Sequence, residues 1–549
     1  MHIKKLHLLG FKSYKKHTTF TFNESMNIIV GDNGVGKSTI LEAIETVLRL
    51  KNNNSIYHDD TLFANYINIS EKIKFENNKT IWSDVKNLPK IIIIAELELN
   101  TFIPKYLKFN GDYVPDNTDD WGLGDTGIYF EYKFDEDYSS EYLEYIKNIS
   151  SQEEDSFNIP FEFYKADWRT FGSEYYKPNQ DPLKSIIIDN SNWTGDPFNA
   201  FAKQLFRTFD VKEQKSMKTQ FRKNVSKLFS ESEDYKLQIN PNITKLESIL
   251  DVTNNQKISI RHLGSGKENQ IKTSLALENK NTSLVLIEEP ENHLSSGNTR
   301  SQINNIKNNQ GDAQLIVTTH NSQIVTKLGV KNIIWIQHSN KDDQVNPKKF
   351  DNLSVSTRHF FDKKDDLNFL SLINYSYTIL VEGAAEYILM QTFIKKVLGE
   401  SYDTLYPKIE VISFEGRFYD PFAELSQLTN GKTLILTDND HDSERIKSIN
   451  TINDQNKDKG TKIFFGEDTE DEWTFEACIY KENKDFIEDN KLFTQRPRAD
   501  DDFPDRPKRL NYMLKHKTEV ALAMIHYFEE DKMVIPKYIS EGIKWVAQS

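Results

Sequence analysis

The chain has a single cysteine, Cys478, among 549 residues. That excludes an internal disulfide framework and a thiolate zinc site. Long hydrophobic runs are also missing. The longest, such as Ile91-Ile92-Ile93-Ile94-Ala95, are strand-sized and too short to cross a bilayer as a helix. The first residues, Met1 to Tyr14, lack the apolar core and small-residue cleavage site of a secretory signal, so a cytoplasmic protein with no membrane partner is expected. No low-complexity tract interrupts a globular composition of 37% hydrophobic and 28% charged residues, and the length calls for more than one core. Positive charge is in deficit: the formal net charge is −14, which argues against indiscriminate coating of nucleic acid. Any nucleic-acid contact must then be local. One basic set is Lys212, Lys215, Lys218, Arg222, Lys223 and Lys227 on an expected helix; another is Arg496, Arg498, Arg506, Lys508 and Arg509 in a proline-interrupted loop. For each set the solvated face is the preferred reading over a functional surface.

What is present is phosphate chemistry, in two places. Short strands are expected at Ile3 to Leu9, Thr18 to Phe22 and Met26 to Val30, and the last runs into Gly31-Asp32-Asn33-Gly34-Val35-Gly36-Lys37-Ser38-Thr39. This is a GxxxxGK[ST] loop, expected to continue as a helix to Leu50. Gly31, Gly34 and Gly36 let backbone N–H groups turn toward phosphate oxygens. Lys37 adds a point charge, and the Ser38 hydroxyl can ligate Mg²⁺. The positive N-terminus of the helix faces the same anions.

Further along, Ser283 to Ile287 reads as an apolar strand ending in Glu288-Glu289-Pro290. Paired acids at a strand end place one carboxylate near a Mg²⁺ shell and the next toward an attacking water. A second strand, Leu315 to Thr319, ends at His320, and Leu263-Gly264-Ser265-Gly266 forms a turn before a helical stretch. In this order the pieces resemble the ABC-type ATPases of the SMC, RecF and overcoming-lysogenization-defect (OLD) groups. The resemblance implies that Gly31, Asn33, Gly34, Gly36, Lys37, Ser38 and Thr39 bind ATP with Mg²⁺. It makes Glu289 the catalytic glutamate, His320 the switch histidine and Ser265 the signature serine offered by a partner subunit. Glu288 stands where many such proteins carry Asp, and the signature reads Leu-Gly-Ser-Gly.

The interval between Lys37 and Ser265 shows no sustained heptad repeat, which argues against a cohesin-type rod. It offers strand-like runs at Ile91 to Leu99, Gly127 to Phe134 and Ile159 to Tyr164, then a helical block from Pro197 to Asp251. Within that block Met217, Phe221, Val225 and Leu228 recur at helical spacing. This fits either a helix packed on its own domain or a dimerisation insert.

After a polar stretch from Gln337 to Asp351, a strand–helix alternation begins at Tyr377. Strands are expected at Tyr377 to Val381, Ile409 to Phe414, Thr433 to Thr437 and Lys462 to Phe465, with helices at Ala384 to Leu398 and Asp420 to Leu428. Such alternation predicts a parallel α/β domain whose working residues lie beyond the strand C-termini. Acids occupy those ends. Glu382-Gly383 closes one strand with Glu386 a turn later, Asp438-Asn439-Asp440 closes another, and Asp471, Glu472 and Glu476 follow the last. Strand alternation would point Asp438 and Asp440 the same way. Oxygen clusters of this kind suit hard divalent cations.

Glu382-Gly383 followed by Asp438-x-Asp440 resembles the TOPRIM domain of topoisomerases, primases and OLD nucleases. Leu380-Val381-Glu382-Gly383-x-x-Glu386, Lys517-Thr518-Glu519-Val520-Ala521 and Ile535-Pro536-Lys537-Tyr538-Ile539 carry its OLD form. The resemblance implies that Glu382, Asp438 and Asp440 hold one metal ion. Glu386 and Glu476 would serve a second, with Asp471 and Glu472 competing for the place of Glu476. Lys517 would assist the transition state. The fold class expected is therefore α/β, an ABC-type ATPase with a helical insert followed by a TOPRIM domain. Its parts are 1–196 and 252–345 (ATPase), 197–251 (insert), 346–376 (linker) and 377–549 (TOPRIM). The OLD resemblance further implies ATP and Mg²⁺ or Mn²⁺ as cofactors, DNA as substrate, a homodimer or higher assembly, and a role like that of Gabija- or retron-associated defence nucleases. An accessory defence subunit, or a retron reverse transcriptase with its noncoding nucleic acid, is a partner the resemblance leaves open. The alternative is an SMC- or RecF-like DNA-binding ATPase whose TOPRIM domain binds without cutting.

Overall fold

The computed structural model describes all residues except 49–59, 100–103, 152–156, 177–180, 190–196, 210–211, 218, 221–262, 338–344, 365–366, 417, 430, 457–459, 468, 470, 494–505 and 549. The chain forms two compact units, one of residues 1–328 with 332–349, the other of residues 329–331 with 350–549.

The first unit holds two sheets. The strands are β1 (His2–Leu9), β2 (Thr18–Thr21), β3 (Met26–Gly31), β4 (Ile91–Glu98), β5 (Gly127–Phe134), β6 (Tyr164–Thr170), β7 (Ile186–Asp189), β8 (Leu284–Glu288), β9 (Gln314–Thr318), β10 (Ile333–Ile336) and β11 (Lys348–Lys349). An antiparallel sheet runs β2-β1-β4-β5-β6. The apolar run at Ile91 to Ala95 is its central strand, covered on both faces. Ile91, Ile93 and Ala95 enter the main core, while Ile92 and Ile94 meet Tyr129 and Phe171 on the other side under Trp121 and Leu123. The period of two thus serves two apolar layers, which is why no polar residue interrupts it.

The second sheet runs β11-β10-β3-β9-β8-β7, parallel except for β11. Every residue of β3, β8 and β9 is buried, as expected for parallel strands covered on both faces. One side chain ties the sheets together. Gln314 is 1% exposed. Its amide accepts from Ile3 N at 2.9 Å and donates to Ile3 O and Asn23 O, both at 2.9 Å. Without it, those groups of β1 would be buried unpaired.

In the second unit β12 (Tyr377–Val381), β13 (Ile409–Ser413), β14 (Lys432–Leu436) and β15 (Thr461–Phe464) form an all-parallel sheet ordered β13-β12-β14-β15. Helices Ala384–Leu398, Lys517–Glu529 and Lys537–Ala547 pack together through Leu389, Phe393, Val520, Met524, Phe528 and Ile543. Phe393 meets Phe528 edge-on at 4.8 Å. Cys478 lies in this core, 3% exposed, and burial raises its thiol well above the ordinary range.

Three sequence expectations change. Residues 350–376 are not a linker: helices Val355–Lys363 and Phe369–Asn374 belong to the second unit. There Phe360 and Phe361 pack with Phe422, Phe369 packs on Phe361, and Glu424 accepts hydrogen bonds from Ser354 and Thr357. The strand expected at Ile159 to Tyr164 begins only at Tyr164. Pro160 has no N–H to give a ladder, and Phe161–Phe163 form a 3₁₀ turn. Strand β7 was not expected at all. Most of the helical block lies outside the described residues, including Phe221, Val225 and Leu228, as do the basic residues Lys218, Arg222, Lys223, Lys227, Arg496 and Arg498. Among the described residues no helix is long and apolar enough to cross a membrane.

Gln314→Leu removes the amide shared by the two sheets but keeps its approximate volume. It should destabilise the first unit by about 1–3 kcal/mol, the cost of leaving buried backbone groups unpaired. Denaturant unfolding of the full chain checks this, and an unchanged midpoint would show that water replaces the amide.

Candidate functional site

Parallel strands end together, so the strand order fixes which loops meet. β3 lies beside β9, and β9 beside β8. Their ends are Gly31, Thr318 and Glu288. Gly31, Asn33, Gly34 and Gly36 turn the chain from β3 into helix Lys37–Leu48, whose first residues are Lys37, Ser38 and Thr39. Gly36 has φ +101°, and a Cβ there would lie 3.1 Å from Tyr14 Oη, so only glycine fits. Lys37 Nζ donates to the carbonyls of Gly31 at 2.9 Å and Asp32 at 2.8 Å. Ser38 Oγ donates to Glu288 Oε1. The loop and the paired acids, far apart in sequence, are thus in direct contact.

Glu289 follows with φ +43°, a left-handed backbone held by its N–H on Thr318 O at 2.9 Å. Its carboxylate takes Asn292 Nδ2 on Oε2 at 2.6 Å and faces His320 Nε2 with Oε1 at 3.2 Å. Burial, with Lys37 nearby, lowers the basicity of His320. Burial also pulls Lys37 down to about 8, although Glu289, Asp32, Glu291 and Glu288 oppose it. Ser265 opens helix Ser265–Glu278, and Gly266 lets that helix approach closely. A Cβ there would meet Leu294 Cδ2 at 2.7 Å and His293 O at 2.9 Å. Glu291 was not singled out in the sequence. Its Oε1 accepts from Thr319 Oγ1 at 2.6 Å and from His320 N at 2.9 Å, so it fixes the histidine's backbone. The signal was its place within Glu288-Glu289-Pro290-Glu291.

The second unit repeats the arrangement with more acid. Glu382 follows β12, and its Oε2 accepts from Thr437 Oγ1 at 2.8 Å, Asp438 N at 3.1 Å and Arg445 Nη2 at 3.1 Å. Asp438 Oδ1 takes Phe475 N at 2.8 Å, at the start of helix Phe475–Glu482. Glu386 and Glu476 sit in the first turns of their helices, 9% and 3% exposed. Lys517 Nζ lies 3.0 Å from Glu476 Oε2, while Glu476 Oε1 is buried without a hydrogen-bond partner. Burial, then Glu382, Glu386 and Glu476, hold the Asp438 carboxyl well above the usual range. Burial and the charge of Glu476 push Glu386 up to about 7. Burial works against the charge on Lys517, yet Glu476, Asp438 and Glu386 raise it.

Asp440 differs from the expectation. β14 ends at Leu436, and Asp440 is left-handed with φ +54°, so strand alternation does not carry through to it. Asp438 faces the other acids, whereas Asp440 Oδ2 pairs with Arg445 Nη1 at 2.6 Å. Of the competing acids, Glu472 is held by Lys481 at 2.7 Å and by Glu467 N at 2.9 Å, and Asp471 is exposed; Glu476 alone of the three joins the cluster. His516 faces Glu519 rather than the acids. Arg445 is the residue that sequence reading missed. It lies nine-tenths buried on helix Ser443–Gln455 and bridges Glu382 to Asp440. Among the described residues, no three His, Cys, Asp or Glu side chains close around one ion position as they stand. The donor set still fits a hard divalent cation. It is all oxygen, holds one orphaned carboxylate oxygen, and contains acids whose mutual repulsion a cation would relieve.

Comparison with known proteins matches two family descriptions. Residues 26–326, just over half the chain, match the model described as "AAA domain, putative AbiEii toxin, Type IV TA system". Residues 376–440 match "Overcoming lysogenization defect protein-like, TOPRIM domain". A structural maintenance of chromosomes protein 3 homolog from Plasmodium falciparum is 39% identical over 87 residues, 16% of this chain and 7% of that protein. The chain therefore spans only a small fraction of that relative's length. Among solved structures, an SMC head bound to the C-terminal winged-helix domain of ScpA is 17% identical with a TM-score of 0.35, covering 66% of this chain and 100% of that one. The C-terminal region of the Burkholderia pseudomallei OLD protein is 21% identical with a TM-score of 0.24, covering 31% and 96%.

Two outcomes follow from the acid cluster. Arg445→Leu strands Glu382 and Asp440 without their cation and should lower stability by about 3 kcal/mol, as breaking a buried pair does. Part of the loss in melting temperature should return on adding Mn²⁺, and no metal-dependent recovery would place cation binding elsewhere. The second concerns pH. Glu386 holds its proton below about 7, and a cation must displace that proton to bind the carboxylate. Apparent Mn²⁺ affinity should therefore fall by up to about ten-fold per pH unit as pH drops below that point. Calorimetric titration across pH measures this, and a flat profile contradicts the assignment.

Proposed function

We propose, on the premise that this chain belongs to the AAA-domain family matched at residues 26–326 and carries an OLD-like TOPRIM domain, that it is an ATP-regulated, divalent-metal-dependent DNA endonuclease acting in antiphage defence. The observation that carries this reading is the convergence of Glu382, Glu386, Asp438 and Glu476 with Lys517 in one electrostatic field beyond a parallel sheet. Divalent ions bound there would neutralise a phosphodiester and acidify an attacking water. The chain's own groups set the stage. Thr437, Asp438 N and Arg445 all load Glu382 Oε2, which leaves Oε1 free for the cage. Lys517 supplies positive charge where negative charge develops on the phosphate. Asp440, now paired with Arg445, would join the ligand set if a cation took the place of that guanidinium.

In the ATPase unit Lys37 would exchange two backbone carbonyls for nucleotide phosphates, and Ser38 with Glu288 would hold Mg²⁺. Glu289, fixed by Asn292 and His320, orients the water. Ser265, at a helix N-terminus, contacts the γ-phosphate bound by a second copy, so the working form is a homodimer or larger. ATP acts as a regulator of cleavage. Homodimerisation, DNA as substrate and the defence role rest on the OLD resemblance.

A second reading has one observation in its favour. Arg445 and Lys517 already neutralise part of the acid cluster, as in a module that binds DNA without cutting it.

Plasmid nicking with Mg²⁺ or Mn²⁺, run beside phosphate release on the same preparations, separates the two. Asp438→Ala and Glu382→Ala should each lose about a hundred-fold or more in nicking and keep ATP hydrolysis. Glu289→Gln should bind ATP but hydrolyse it slowly, and Lys37→Ala should weaken ATP binding itself. In cells, the Asp438 and Lys37 variants should both lose protection against phage. No nicking by the parent under any nucleotide condition would favour the non-cleaving module.

A further inference from the structure

Beside the acid cluster lies a stack of groups that the proposed chemistry does not use. Asp440 N donates to Trp473 O at 3.0 Å, which anchors Trp473 to the turn carrying the acids. His441 has φ +57° directly after Asp440 at φ +54°. Two successive left-handed non-glycine residues are costly, and such turns are kept where they aim a side chain. Here the turn sends the exposed His441 ring alongside the Trp473 indole, with centroids 5.8 Å apart and planes 28° apart. The Arg506 guanidinium lies over the same indole at 4.8 Å. Asn439, 1% exposed, locks the assembly by donating to Gly466 O and Glu467 O, each at 3.1 Å, and to Glu472 O at 2.9 Å. Phe475 N on Asp438 Oδ1 closes the other side.

A planar cation and two aromatic rings fixed at the rim of an acidic centre match the chemistry of a nucleic-acid strand. Guanidinium pairs with phosphate oxygens, and ring faces take bases or sugars. A chain of net charge −14 needs such local cations to bring a polyanion near its own carboxylates. Arg506 belongs to the proline-interrupted basic set; Lys508 and Arg509 of that set open helix Lys508–Lys515, where Arg509 pairs with Glu488 at 2.7 Å.

We propose that Arg506, Trp473 and His441 form the DNA-strand contact that sets which phosphodiester lies over Glu382 and Asp438. This rests on the nuclease reading but concerns substrate binding, so the two can fail separately. Arg506 contacts phosphate, Trp473 keeps its guanidinium planar to the strand, and His441 borders the neighbouring nucleotide. The stack holds the strand; the acids act on it.

The test is fluorescence anisotropy of the full chain with a fluorescein-labelled DNA duplex and the matching single strand, in Ca²⁺, across a salt series. Arg506→Ala and Trp473→Ala should each weaken binding about ten-fold, and Arg506→Ala should flatten the slope of log affinity against log salt by about one. Arg506→Lys should keep the slope but recover only part of the affinity, because it lacks the stacking plane. In nicking assays these variants should raise KM more than they lower kcat, with ATP hydrolysis unchanged. Lys395→Ala, a cation on helix Ala384–Leu398 of the same unit, serves as the control. If Arg506→Ala does not fold, as judged by melting, Arg506→Lys decides by the same comparison. Parent-like binding in the Arg506 and Trp473 variants overturns this inference alone. A parent that binds neither DNA overturns the nuclease reading as well.

Discussion

Carboxylates can be crowded beyond the end of a parallel sheet only if positive charge stands among them. Both units obey this constraint. In the first, Lys37 lies in the field of Asp32, Glu288, Glu289 and Glu291, and burial keeps its ammonium near the edge of neutrality. In the second, Arg445 and Lys517 reach into a group of acids that would otherwise repel one another. Burial first, and then the repulsion that those two cations leave uncancelled, holds Asp438 and Glu386 toward their protonated forms. A site in this condition is prepared for additional positive charge, which is the property expected of a place where metal and phosphate meet.

The backbone devices that create the crowding are local and few. Strand order brings the ends of β3, β9 and β8 together and those of β12 and β14. Left-handed turns at Glu289 and Asp440 then redirect single residues off the strand line. Each turn is held by a backbone hydrogen bond, Glu289 N to Thr318 O and Asp440 N to Trp473 O. Side-chain amides finish the work. Asn439 and Gln314 satisfy buried groups on other segments, while Asn292 braces Glu289 within its own turn.

Much of this was legible in the sequence wherever a local pattern decided the outcome. Strand β12 and the helix Ala384–Leu398 have the limits that the apolar run and Glu-Gly punctuation suggest. The loop around Lys37 is recognisable because strand, glycines and helix must all occur in order. What was hidden depends on contacts between distant segments. Arg445 reads as one more charge on an amphipathic helix until its helix is set against Glu382 and Asp440. Asp440 reads as the twin of Asp438 because a left-handed φ leaves no mark on a non-glycine residue. Residues 346–376 read as a linker, yet Phe350, Phe360, Phe361 and Phe369 were the overlooked signal of a packed layer. Strand β7 is four residues long and sits at the margin of its sheet, where a short apolar run is indistinguishable from a loop.

The lone cysteine has a practical side. Cys478 is sealed in the core of the second unit with its thiol held protonated, so it will react sluggishly with electrophiles while the fold is intact. A dye or spin label aimed at thiols would therefore find almost no background on the native protein. Single cysteines placed at chosen surface positions could be tagged one at a time, and movements between the tags followed by distance-sensitive spectroscopy, without first rebuilding the molecule to remove its own sulfhydryl.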